Sequence, residues 1–192
     1  MPSADEAAAS AALAPFRRLA SVAADEVRVV PYAGVLDEGR MPPGMQVQMR
    51  NAFFRSLDDE RAAAAAGLFR DGAAVELRSL GGAFGRVPAD ATAFAHRDAK
   101  LLLVAGTMLP PGTPQEVAGK ALASWPALAA QASGAYAGFL GPATDAEVAA
   151  AYPAPTYQRL AGVKRRYDPG NMFRRNHNIR PEGADVMTPV TG

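Results

Sequence analysis

His96-Arg97-Asp98 sets an imidazole, a guanidinium and a carboxylate side by side, just ahead of an apolar run. A histidine acting as general base needs a partner to orient it, and on a strand His96 and Asp98 would share a face. The same residues serve as structural hydrogen-bonding groups, and that is the reading favoured here. Asp58, Asp59 and Glu60 form a carboxylate cluster, but they fall in the first turn of an expected helix, where acids cap and complement the dipole. The one concentration of positive charge runs from Lys164-Arg165-Arg166 to Arg174-Arg175-Asn176-His177-Asn178 and Arg180. It suits a solvated face or a phosphate. Basic–aromatic interleaving is missing elsewhere, so a nucleic-acid partner is not expected. Within this run Asn176 and Asn178 place two carboxamides one residue apart, with donors and acceptors suited to a planar heterocycle. Gly81-Gly82-Ala83-Phe84-Gly85 is glycine-rich, but Val87-Pro88-Ala89-Asp90 breaks any helix start after it, so a tight turn is expected rather than a phosphate loop.

Other chemistry is excluded by composition. The 192 residues contain no cysteine, so disulfides, thiolate metal sites and thiol nucleophiles are ruled out. The two histidines, His96 and His177, lie far apart, and no metal site is expected. Twenty basic and 19 acidic side chains leave a net charge of +1, unlike the basic excess of a dedicated polyanion binder. No apolar run approaches the ~20 residues that span a bilayer, and acids stand at the N-terminus where a secretory signal carries basic residues. A soluble, cytoplasmic protein without a membrane partner is expected.

The elements that must position these groups follow from periodicity. Residues 5–20 predict a short helix ended by Pro15, and 26–32 an extended segment or strand. A glycine- and proline-rich loop follows over 34–44. Met45, Val47 and Met49 alternate with polar residues and open a strand over 45–54. Ser56 and Asp59 resemble a capping box for a helix over about 57–70. A second strand is read over 73–82 and a buried central strand over 101–108. A helix over 113–132 is expected to kink at Pro126, followed by a short strand over 134–140. Helices over 144–152 and 155–167 close the series. Two strands follow each other directly, which favours an α+β fold: an antiparallel sheet flanked by helices, with a C-terminal helix-plus-loop segment.

The run from Tyr157 to Ile179 fits the pattern Y-x-R-L…K-x-x-Y-D-P-x-N-x-F-x-x-N-x-N-I almost throughout. It resembles the C-terminal signature of the berberine-bridge-enzyme-like flavoprotein oxidases, of the vanillyl-alcohol-oxidase type. Leu80-Gly81-Gly82-Ala83, Thr92-Ala93-Phe94 and His96-Arg97 resemble the same family's substrate-domain segments in the same order. The stretch Gly134-Ala135-Tyr136-Ala137-Gly138-Phe139 resembles its Y-x-N-[FY] strand. The resemblance covers roughly residues 12–181. It implies a substrate-binding-type domain over 12–152 and the berberine-bridge motif over 153–181, with 1–11 and 182–192 flexible.

By that resemblance the chain is the C-terminal portion of an FAD-dependent oxidoreductase that acts with dioxygen on an alcohol, amine or sugar C–H. Asn176 and Asn178 would bind cofactor by approaching the isoalloxazine, and Ala105, Tyr136, Gly138 and Phe139 would line the substrate side. Asp168 and Asn171 would shape a turn. Ala105 stands at the position matching the family's catalytic Glu or Gln, and Gly138 and Phe139 replace an asparagine and a tyrosine, so no catalytic residue is assigned. Nothing in the chain resembles the family's FAD-binding domain, so FAD binding by this chain alone is expected to be weak or absent. A small-molecule substrate is implied, with a separate FAD-domain chain or a homo-oligomer as partner. The alternative is a non-catalytic truncated or interaction module, with Met172, Phe173, Ile179, Phe139 and Tyr136 on its apolar face.

Overall fold

The computed structural model describes residues 5–19, 21–22, 25, 27–35, 42–120, 122–141, 143–175 and 177–183. The chain forms two compact units, Met1–Pro42 and Pro43–Gly192. In the first, α1 (Glu6–Arg17) is capped by Asp5, whose carboxylate accepts the Ala8 N–H at 3.1 Å. Pro15 does not end this helix; it lies in the last turn, where it forfeits a single backbone bond. Residues 27–31 carry no strand, and α2 (Tyr32–Val35) is a single helical turn where an extended segment and loop are expected.

The second unit holds β1 (Gln46–Phe54), α3 (Asp59–Arg70), β2 (Ala74–Ser79), β3 (Leu101–Leu109), α4 (Gln115–Lys120), α5 (Trp125–Ala129), α6 (Asp145–Ala151) and α7 (Ala154–Tyr167). Its architecture is α+β, as the sequence predicts. The three strands form an antiparallel sheet in the order β1-β3-β2. Strand β3 is central because it can be buried on both faces: Leu102, Leu103, Val104 and Ala105 are all buried. Strands β1 and β2 run parallel on either side of it, so α3 crosses over a gap that β3 fills, a split β-α-β arrangement.

The sheet's two faces differ. On the first, Ala52, Phe54, Leu103 and Ala105 pack against Ala65 and Leu68 of α3 and Trp125 and Leu128 of α5. Phe54, Leu68, Leu103 and Leu128 are fully buried there, each contributing about 1.5–3 kcal/mol of apolar burial. On the second, Phe53, Ala99, Leu102 and Val104 pack against Met49 of β1 and against Leu80, Phe94 and Phe139 from outside the helices and strands named above. This two-sided cover explains why β1 loses its alternation and is buried continuously from Asn51 to Phe54.

Local signals needed small corrections. The N-cap of α3 is Asp58 rather than Ser56, since the Asp58 carboxylate accepts the Arg61 N–H at 2.9 Å. The helix expected over 113–132 is two short ones. Pro126 enters the first turn of α5, where a missing N–H costs nothing. Helix α6 opens on a full capping box between Thr144 and Glu147. The stretch expected as a strand over 134–140 makes one bridge, at Gly134, and then a 3-10 turn over Ala137–Phe139.

Candidate active-site face

The loop-covered face of the sheet gathers an aromatic wall. Phe53 is its floor, and Phe94 meets it edge-on at 5.5 Å between ring centroids. Tyr136 stands 6.0 Å from Phe94, and Phe139 stands 5.3 Å from Tyr136, both in T-shaped contacts. Such pairs are favoured by the ring quadrupole and fix ring orientation as well as position. The Arg97 guanidinium covers Phe84 and Phe94, while its Nε and Nη2 donate to the Phe94 carbonyl and the Thr92 hydroxyl. From α7, Arg159 donates to the Asp90 and Thr92 carbonyls, tying the C-terminal helix to the loop that carries Phe94.

Beside this wall stand the charged groups of β2. Glu76 and Arg78 project from the same face of that exposed edge strand. Glu76 receives Arg78 Nε at 2.6 Å and Nη2 at 2.9 Å, a two-point pair. The guanidinium lies 4.6 Å over the Phe139 ring. The hydrogen bonds from Arg78 hold the Glu76 carboxyl below its ordinary range, outweighing the opposing effect of partial burial. The carboxylate is therefore held ionised, as the acceptor partner of Arg78 rather than as a strong base.

Backbone geometry sets Tyr136. Asn51 on β1 is 3% exposed, a polar side chain inside an apolar strand. Its Nδ2 donates to the Tyr136 carbonyl at 2.9 Å, and its Oδ1 accepts the Tyr136 N–H at 2.6 Å. Gly138 leaves room for the Tyr136 ring: a Cβ there would come within 2.7 Å of Cε1 and 3.0 Å of the hydroxyl. His96 is buried against Phe53 at 5.0 Å and its Nε2 donates to the Ala151 carbonyl at 3.2 Å. Burial pushes the His96 imidazole below its ordinary pKa, against the pull of the Ala151 and Ala150 carbonyls and of Asp98. Asp98 itself turns to Arg55, at 2.6 Å, and that partner lowers its pKa. His96 thus serves as a buried strut, the structural reading of the histidine–aspartate pair.

A cavity of about 470 Å³ opens between α6, α7 and the segment after them, lined among others by Asp145, Tyr152, Gln158, Asn178 and Arg180. The Asn178 Oδ1 is buried there with no hydrogen-bond partner among the described residues. Burial, and secondarily the Tyr136 hydroxyl, push the Tyr152 hydroxyl above its usual pKa range. Asn176 lies outside the described residues. Farther along, Asp168 shapes the turn as expected. Its carboxylate receives Lys164 Nζ at 2.6 Å and the N–H groups of Met172 and Phe173, while Asn171 takes a left-handed conformation at φ 50°. This turn leaves Met172 and Phe173 exposed.

Of the expected substrate-side residues, Tyr136, Gly138 and Phe139 come together. Ala105 does not join them. It is fully buried beneath α3 and α5 on the opposite face, because its parity along β3 differs from that of Val104. The open-face carboxylate is Glu76, one strand away, which the sequence reading passed over inside an alternating strand. Asn51 was missed too, although a lone asparagine inside MQVQMRNAFF is a visible signal. Among the described residues no cluster of metal-ligating side chains occurs, and no helix is long and apolar enough to cross a membrane.

Comparison with known proteins agrees with the family resemblance. Residues 138–180 match the family described as "Berberine and berberine like". Over 37 residues, 19% of this chain, it is 60% identical to (R)-6-hydroxynicotine oxidase of Paenarthrobacter nicotinovorans, covering 8% of that protein. Over 101 residues, 48% of this chain, it is 38% identical to the FAD-linked oxidoreductase OXR1 of Pyricularia oryzae, covering 20% of it. The crystal structure of 6-hydroxy-D-nicotine oxidase from Arthrobacter nicotinovorans superposes on 93% of this chain with a TM-score of 0.67 and 26% identity, and this chain covers 42% of that one. The chain therefore spans less than half the length of each of these relatives.

Proposed function

We propose that this chain, which carries the berberine-like C-terminal segment of the FAD-linked oxidases, is the substrate-side portion of an FAD-dependent oxidoreductase acting on a small molecule. The observation that carries the reading is the sheet's asymmetry. Helices α3 and α5 close one face, and the other presents Glu76, Arg78, Tyr136 and Phe139; the C-terminal segment adds a cavity lined by Asn178, whose amide oxygen has no partner among the described residues. That oxygen supports a fit to flavin, since a buried acceptor without a partner is costly until a ligand N–H meets it. Asn178 would hold the cofactor through that oxygen, with Asn176 beside it in sequence. Bound FAD supplies the hydride acceptor.

The chain's own residues would do the rest. Tyr136 and Phe139 offer ring edges and faces against which a planar substrate is oriented. The ionised Glu76, held by Arg78, would offer a hydrogen-bond acceptor and negative charge to a substrate hydroxyl or amine. An alcohol, amine or sugar C–H as the oxidised group fits this arrangement. The aromatic wall favours a ring-bearing molecule, as the name of the hydroxynicotine oxidase carries for that relative.

A second reading, a non-catalytic or interaction module, draws on the exposed Tyr167, Met172 and Phe173, an apolar surface suited to a covering domain or a second copy. The visible absorption of the purified chain, taken before and after incubation with excess FAD and desalting, separates the two. Retained flavin absorbance, lost in the Asn178→Leu variant, is the expected result for the first reading. A chain that stays colourless both alone and mixed with a separately produced FAD domain overturns it and leaves the second.

A further inference from the structure

The segment after α5 starts as a fourth strand and then leaves the sheet. Phe53 N–H donates to the Gly134 carbonyl at 2.8 Å, and Ser133 N–H donates to the Phe53 carbonyl at 2.8 Å, an antiparallel bridge on the free edge of β1. Continued in register, that bridge would set Tyr136 opposite Asn51 and Gly138 opposite Met49. Neither backbone pair forms. The Asn51 side chain takes both the N–H and the carbonyl of Tyr136, and the Met49 carbonyl instead receives Gly141 N–H at 3.1 Å. Asn51 points to the same face as Phe53, two residues on, so the Tyr136 backbone is drawn from the edge onto that face. The intervening residues make the 3-10 turn over Ala137–Phe139 and carry both rings onto the wall.

We infer that Asn51 is a positioning residue: its carboxamide replaces the next rung of the sheet ladder and lifts Tyr136 and Phe139 onto the open face. The physical requirement is specific. A side chain buried at this depth must offer one acceptor and one donor at the spacing of a peptide unit, because an unpaired Tyr136 N–H or carbonyl would be left without water. Asparagine meets it. An ionised aspartate has two acceptors and no donor, whereas a protonated aspartic acid has both, with its O–H in place of the amide N–H. An apolar residue at position 51 offers neither and leaves the backbone of β1 as the only partner, so the edge pairing should run on.

The test uses the whole chain without cofactor, so its failure is distinct from a failure of the flavin reading. With 3-fluorotyrosine incorporated, the Tyr136 resonance is assigned through Tyr136→Phe and followed by fluorine NMR. In the wild type it should keep one position at pH 7 and pH 5, which also controls for the nearby His96. In Asn51→Asp it should be displaced at pH 7 and return toward the wild-type position at pH 5 as the buried carboxyl takes up its proton. A resonance unmoved at pH 7, or displaced equally at both values, overturns the inference. Asn51→Thr keeps a strand-forming side chain and guards against loss of folding. In it the Tyr136 amide should exchange with deuterium about tenfold faster or more, as expected for a lost buried hydrogen bond, while the Leu103 amide is unchanged. Unchanged exchange at Tyr136, or equal acceleration at Leu103, would show that Asn51 has no such role.

Discussion

Gly138 shows how one missing side chain places a functional group. The family-like pattern has an asparagine at this point, and the loss looks from the sequence like a lost polar contact. In the structure the space is filled by the Tyr136 ring, whose Cε1 would lie 2.7 Å from any Cβ at position 138. The atoms in the way are the far end of a side chain that is already 38% exposed, so the ring can swing out without disturbing the core. Gly138→Ala should cost about 1 kcal/mol or less in urea unfolding, while nitration of Tyr136 by tetranitromethane becomes several-fold faster. A large stability loss with no change at Tyr136 would assign Gly138 to backbone conformation instead. Glu76 carries the opposite lesson. It was legible as the polar partner in an alternating strand, but its link to Phe139, through the Arg78 guanidinium that it holds, joins residues about 60 positions apart and could not be read locally.

At the scale of elements, local signals served well wherever the deciding interactions were local. Helices α3, α6 and α7 stand close to their expected bounds because their signals, side-chain caps and first-turn acids for α3 and α6 and an opening proline with an apolar stripe for α7, all lie within a few residues. The capping box of α6 is the cleanest case, with Thr144 Oγ1 accepting the Glu147 N–H at 3.3 Å and Thr144 N–H reaching Glu147 Oε2 at 2.8 Å. Thr144→Ala should destabilise the chain by about 1 kcal/mol, measured by chemical denaturation, with Thr144→Ser recovering most of it. That helix also supplies the Ala151 carbonyl to His96, so fraying it reaches the aromatic wall. The stretch over 134–140 failed as a strand for a non-local reason: its partner at the critical rung is a side chain of β1, 85 residues earlier. Alternation and β-propensity carry no information about which atoms of a distant strand will offer the bonds.

For the whole molecule, burial of His96 couples stability to pH. The unfolded chain takes up this proton near an ordinary histidine value of about 6.5, and the folded chain only at lower pH, because burial disfavours the cation. Stability from neutral His96 is thus fully present above that value and is lost as pH falls below it toward the folded pKa. The carboxylates held low by Arg78, Arg55 and Lys164 lose their contribution only as pH falls through about 4, so the two windows separate. Urea midpoints should drop between pH 7 and pH 5 in the wild type. His96→Gln should start lower by about 1–2 kcal/mol and stay flat over that interval; an equal slope in both would exclude His96 as the cause.

By itself the sequence determined the fold class, the central strand, most helix starts, the Asp168 turn and the family resemblance. Each is written in near neighbours or in one uninterrupted motif. Only the tertiary structure decided which sheet face is closed by helices. It put Ala105 in the core and Arg78, the partner of Glu76, over the Phe139 ring, left the Asn178 Oδ1 without a partner among the described residues, and joined the Asn51 side chain to the Tyr136 backbone. The physical reason is parity and long-range pairing. One step along a strand reverses the face a side chain meets, and what covers that face comes from segments far away in the chain.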